Sequence, residues 1–123
     1  MAFCGFLRQS TAIDILIGPF LTDADADTPE TGLTLVVELS KNGQGLATKN
    51  DTDDPTHDAG GTVDGYYNCE LDATDTGTVG QLTVVAHHAD ALPIRLDYQV
   101  MAQIAYDDQF AATLNINEMA RIE

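Results

Sequence analysis

Asp23, Asp25 and Asp27 alternate with alanines, the spacing at which carboxylates can converge on one hard cation at the start of a calcium loop. A complete loop of that kind carries glycine at its sixth position and glutamate at its twelfth. Counted from Asp23, this chain has Thr28 and Thr34 there. The three aspartates are therefore a candidate calcium set. The competing reading is a solvated acidic loop, and the turn-forming residues around them favour it. His87 and His88 are adjacent, so on a strand they face opposite ways and cannot grip one metal together. His57 is remote from both. Cys4 and Cys69 have no metal-pair spacing with each other or with a histidine. Ser10 and Ser40 sit outside any nucleophile elbow, and no glycine-rich phosphate loop precedes a helix. No pair of acids is marked out for acid–base work. The chain thus reads as a non-enzyme that needs no cofactor.

Charge excludes further classes. Twenty acids face five bases, a formal net charge of −15. The bases are Arg8, Lys41, Lys49, Arg95 and Arg121, too scattered to form the positive stripe that phosphate backbones require. Direct nucleic-acid binding is not expected, nor is attraction to an anionic membrane. The acidity reads as solubility and resistance to premature self-association, or as attraction to a basic partner or to divalent cations. A second acidic group, Asp51, Asp53, Asp54, Asp58 and Asp64, falls among turn residues and reads as loop. Two cysteines do not make a disulfide framework; a single bridge fits the count, but both read as reduced. The segment Met1–Arg8 is apolar, yet too short for a signal peptide, and no stretch reaches transmembrane length. The expectation is a protein used without secretion.

The elements that must position these residues are strands. Ile13, Ile15 and Ile17 alternate, and Pro19 limits that strand to an edge or marks its end. Leu33, Leu35, Val37 and Leu39 share a face, and Asn42-Gly43 behind them has the chemistry of a type I′ turn, predicting a hairpin onto residues 45–49. Residues 50–62 lack periodicity and read as loop. Tyr67, Cys69 and Leu71, then Leu82, Val84 and Ala86, then Ile94, Leu96, Tyr98 and Val100, predict three more strands. A turn, or one helical turn, is expected over 72–77, a corner at 89–93, a short helix over 104–111 and a further short strand at 114–116. With about six to eight short strands the fold is expected to be mostly β: an antiparallel β-sandwich, Ig-like or jelly-roll-like, with a short C-terminal helical turn. A small closed barrel is the alternative. The organisation is read as an N-terminal arm (1–10), the sandwich (11–101) and a C-terminal extension (102–123).

Phe6-Leu-Arg-Gln-Ser-Thr-Ala12, Ile17-Gly-Pro-Phe20, Glu30-Thr-Gly-Leu33 and Leu39-Ser-Lys-Asn-Gly43 occur in that order. Gly65-Tyr-Tyr67, Leu71-Asp-Ala-Thr-Asp-Thr76, Gly80-Gln-Leu82 and Ala91-Leu-Pro93 follow. From Phe6 to about Tyr106 this succession resembles a module of tailed-phage and prophage proteins, an N-terminal domain on longer fibre-like chains. Its strand plan is similar to the β-sandwich heads of phage baseplate upper proteins. The resemblance implies a virion location, no enzymatic residues, and assembly with the major capsid protein or other virion proteins. This sequence reaches Glu123 without a fibre shaft, so a free-standing role is expected: a capsid decoration (cement) protein, homo-oligomeric on the particle, or a tail, neck or baseplate adaptor. Phe3, Phe6 and Leu7 in the arm, with Met119 and Ile122 at the other end, are the candidate partner-binding anchors. The arm reads equally as a plug that closes the sandwich bottom. A carbohydrate- or calcium-binding β-sandwich is a third possibility, resting on the loop at 23–30, with Tyr66 and Tyr106 as the aromatics a sugar would need.

Overall fold

The computed structural model describes residues 3–110. Eight strands and one helix follow in order: β1 (Phe3–Arg8), β2 (Ile13–Ile17), β3 (Val36–Lys41), β4 (Ala47–Thr48), β5 (Thr56–His57), β6 (Tyr67–Leu71), β7 (Gly80–His88), β8 (Ala91–Met101) and α1 (Gln103–Phe110). They form two sheets, one with order β1-β8-β7-β3-β4 and one with order β2-β6-β5.

Alternation decides which side chains go inside. Val37 and Leu39 of β3, Leu82, Val84 and Ala86 of β7, and Tyr98 and Val100 of β8 are buried from the larger sheet. Ile15, Ile17, Tyr67, Cys69 and Leu71 are buried from the smaller one and belong to the same core cluster. Period-2 patterning thus reports the inner face of β2, β3, β6, β7 and β8, because each is wetted on one side only. The hairpin between β3 and β4 forms as expected. Asn42 and Gly43 both take positive φ (54° and 79°), and the Gln44 N–H donates to the Lys41 carbonyl at 3.1 Å.

Several features differ from the sequence reading. The segment expected as an unpatterned arm is β1, hydrogen-bonded in parallel to β8 with Leu7 opposite Val100. Its register shifts between Phe3 and Gly5, and only Leu7 turns into the core, so no alternation is visible in the sequence. The larger sheet is consequently mixed, not wholly antiparallel. β1 and β8 lie far apart in the chain, and no hairpin constrains their relative direction. β3 starts at Val36, after Leu33 and Leu35. β5 lies inside the stretch read as loop; it is a two-residue edge strand, too short to show a period. The corner at 89–93 is tighter than expected, since His88 already pairs with Ala91 and Pro93 lies within β8. Pro93 is tolerated there because the β7–β8 register shifts between Ala86 and His88, and Pro93 falls in that irregularity with no paired residue opposite. The strand expected at 114–116 lies outside the described residues.

Candidate functional site

β1 is an edge strand, and α1 folds back across its outer face. Asp107 of α1 lies at Arg8, and Phe110 one turn later lies at Phe6, so the helix runs opposite to β1. The Arg8 guanidinium donates from Nε to Asp107 Oδ1 at 2.8 Å and from Nη2 to Oδ2 at 3.0 Å, and from Nη1 to the Thr11 hydroxyl at 3.0 Å. This bond to Asp107 raises the Arg8 pKa further and holds the Asp107 carboxyl below the usual carboxylate range.

Beside that clamp the aromatic rings gather. Phe3 and Phe6 meet edge to face at 5.2 Å, Phe6 and Phe110 lie 5.8 Å apart, and Phe110 and Tyr106 lie 4.7 Å apart. The cluster is not core: Phe3, Phe6 and Phe110 are 60%, 45% and 49% exposed, and Ile104 on the same helix is 76% exposed. Exposed aromatic rings in mutual contact are a feature that protein interfaces share. Of the anchors expected from sequence, Phe3 and Phe6 lie in this surface. Leu7 does not, because its strand turns it inward and leaves it 4% exposed. Met119 and Ile122 lie outside the described residues. Tyr106 and Phe110 were legible only as a helical spacing; that they join Phe6 is a tertiary fact.

The acidic candidates resolve differently. Asp25 accepts hydrogen bonds from the Asp27 and Thr28 amides at 2.9 and 3.0 Å and from the Thr28 hydroxyl at 2.7 Å. Those bonds, the Thr28 hydroxyl foremost, hold its pKa down. The carboxylate is committed to shaping its own turn, and Asp23, Asp25 and Asp27 do not converge. Among the described residues the acids that do converge are Asp51, Asp53 and Glu70, with ligand atoms within 4.8 Å of one another. Repulsion from Asp53 raises the Glu70 pKa. Sequence reasoning missed this trio because Glu70 points outward from β6 toward a loop without periodicity.

The remaining polar groups are occupied structurally. Buried Lys49 donates from Nζ to the Asp51 and Asp53 carbonyls at 2.8 and 2.7 Å. His57 Nε2 accepts the Gly65 amide at 3.0 Å, and His88 Nδ1 accepts the Asp90 amide at 3.0 Å. His87 lies 3.6 Å from Glu38. Burial pushes the Cys69 thiol up to about 11, far from a reactive thiolate. The Ser40 hydroxyl donates to the Gln44 carbonyl at 2.6 Å inside the β3–β4 hairpin. No protein-family model and no curated protein matches this chain.

Proposed function

We propose that this domain is a non-enzymatic structural unit of a tailed-phage virion, seated on its partners through the aromatic edge made by β1 and α1. We read the two sheets as an Ig-like or jelly-roll-like sandwich. The observation that carries the reading is the Phe3–Phe6–Phe110–Tyr106 cluster on β1 and α1, with Phe3, Phe6 and Phe110 exposed. Aromatic side chains bury large area at low entropic cost, which makes such clusters the centres of interfaces. The high negative charge keeps free copies apart until they reach a complementary surface. The resemblance to phage modules supplies the context, with the major capsid protein as the principal partner and a homo-oligomeric arrangement on the particle.

A capsid decoration role requires a copy number in purified virions comparable to that of the major capsid protein. A few copies per particle, placed near the portal or tail, would instead establish the adaptor role. Phe6→Asp with Phe110→Asp should abolish incorporation while leaving the fold intact, since neither side chain belongs to the core. Incorporation at the wild-type level would remove the aromatic edge as the seat.

A further inference from the structure

A second surface lies on the other sheet. Leu16 points outward from β2 and is 54% exposed, in line with the inward Ile15 and Ile17 beside it. With Asp58, Gly60, Gly61, Thr62, Val63 and Tyr66 it lines an open groove of about 570 Å³. That volume falls in the range of small-molecule sites, which run from about 300 to 1,000 Å³.

The groove is built, not left over. Asp58 accepts the Gly60 amide on Oδ1 at 2.8 Å and the Asn68 side-chain amide on Oδ2 at 3.1 Å, which fixes its carboxylate at the rim. Tyr66 packs against Gly18: a Cβ there would stand 3.1 Å from the Tyr66 ring and 2.7 Å from the Gly65 carbonyl, so only glycine lets the ring settle at that place. A ring held so loses little freedom when a ligand stacks on it.

We propose that this groove binds a neutral sugar residue. Its chemistry is mixed in the way a sugar is mixed. The Tyr66 ring, Leu16 and Val63 offer an apolar floor for the C–H face of a pyranose. The Asp58 carboxylate accepts from sugar hydroxyls, while the Thr62 and Tyr66 hydroxyls both donate and accept. Charge narrows the class further. Asp58 stands in the groove of a domain with net charge −15, which disfavours sulfated, phosphorylated or uronic sugars. An apolar peptide would cover the Thr62 and Tyr66 hydroxyls without offering them a hydrogen bond. The groove is open, so a terminal or an internal residue of a longer glycan can enter, and affinity for a single sugar should be weak, with Kd on the order of 1 mM. The site is separate from the aromatic edge and does not depend on the virion reading.

The test uses the full chain, isotopically labelled, titrated with a panel of neutral methyl glycosides while amide chemical shifts are followed. At least one glycoside should give saturable shifts confined to Leu16, Gly60, Gly61, Thr62, Val63 and Tyr66. Tyr66→Ala should weaken that binding at least tenfold, and Tyr66→Phe, which keeps the ring on Gly18, should weaken it less. Tyr66→Phe also serves as the readout if Tyr66→Ala disturbs the fold, which an amide spectrum shows directly. A sulfated glycoside should give no saturable shifts. The proposal fails if no neutral glycoside saturates these amides, if Tyr66→Ala binds like wild type while folded, or if an apolar peptide saturates the groove and sugars do not.

Discussion

Arg8 and Asp107 meet across ninety-nine residues of chain in a two-pronged ion pair, Nε to Oδ1 at 2.8 Å and Nη2 to Oδ2 at 3.0 Å. The pair fastens α1 onto β1 and so holds Phe110 against Phe6. Without it, the helix retains the ring contacts and a hydrogen bond from Gln103 to the Gln9 carbonyl at 3.0 Å.

Arg8→Met should therefore loosen the helix without unfolding the sheets. The expected signs are faster hydrogen exchange confined to 103–110 and increased binding of a hydrophobic dye at the exposed rings. Acid should do the same to the wild type. The Asp107 pKa is lowered from its ordinary 3.8, so the pair's contribution is fully present above that value and is lost as pH falls through the lower, folded value. A pH titration of helix exchange that shows release near neutrality would contradict this. Both side chains are partly exposed, so high salt should weaken the clamp as well.

Asp75 carries a larger share of stability. It is 2% exposed and accepts backbone N–H groups from Asn50, Asp51 and Asp72 at 2.7, 3.2 and 3.0 Å. It thus ties the loop after β4 to the turn after β6. Asp75→Ala strands three donors at once and should cost about 3 kcal/mol in urea denaturation. A loss under about 1 kcal/mol would show that water replaces the carboxylate freely.

The space beside Gly80 is already filled. A side chain there would collide with the Asn42 amide, which accepts the Gln81 N–H at 2.8 Å and donates to the Val79 carbonyl at 3.0 Å. Gly80 also takes a φ of 123°, a conformation L side chains rarely adopt. Gly80→Ala should destabilise by about 2–3 kcal/mol, partly from backbone strain and partly from eviction of Asn42. Asn42→Ala alone should cost about 2 kcal/mol, from the lost hydrogen bonds and from placing alanine at a φ of 54°. The double variant should cost less than the sum, because the collision is removed once; additivity in the double-mutant cycle would contradict the shared-space account.

The acidic trio should respond in the opposite sense to acid. Glu70 has its pKa raised from 4.5, chiefly by Asp53, so its ionised form opposes folding at neutral pH and the opposition vanishes as pH falls below the ordinary value. Glu70→Gln should raise the melting temperature at pH 7, and the two curves should merge in acid. Added salt should shrink the difference. A variant less stable than wild type at pH 7 would show that Glu70 has a structural role beyond its repulsion.

The inner faces of β2, β3, β6, β7 and β8 were legible in the residues themselves. In each, one side meets the core and the other meets water, and that contrast writes a period of two into the chain. The Asn42-Gly43 turn was legible because its positive φ values restrict the residue types that fit. β1 was not, because a strand with one buried side chain, Leu7, and a register shift near Gly5 carries no period. β5 was too short to carry one.

Sequence by itself determined the mostly β class, the acidity and the apolar character of residues 3–7, since these follow from local patterning and composition. Tertiary structure alone decided which apolar residues form a surface. β1 finds β8 and α1 finds β1 only after the chain has closed loops of many tens of residues, so Leu7 sinks while Phe3 and Phe6 stay outside with Tyr106 and Phe110. It also decided that Asp51 and Asp53 converge with Glu70, while Asp25 serves its own turn. Contacts between distant segments depend on strand register and sheet order, and no local spacing encodes either.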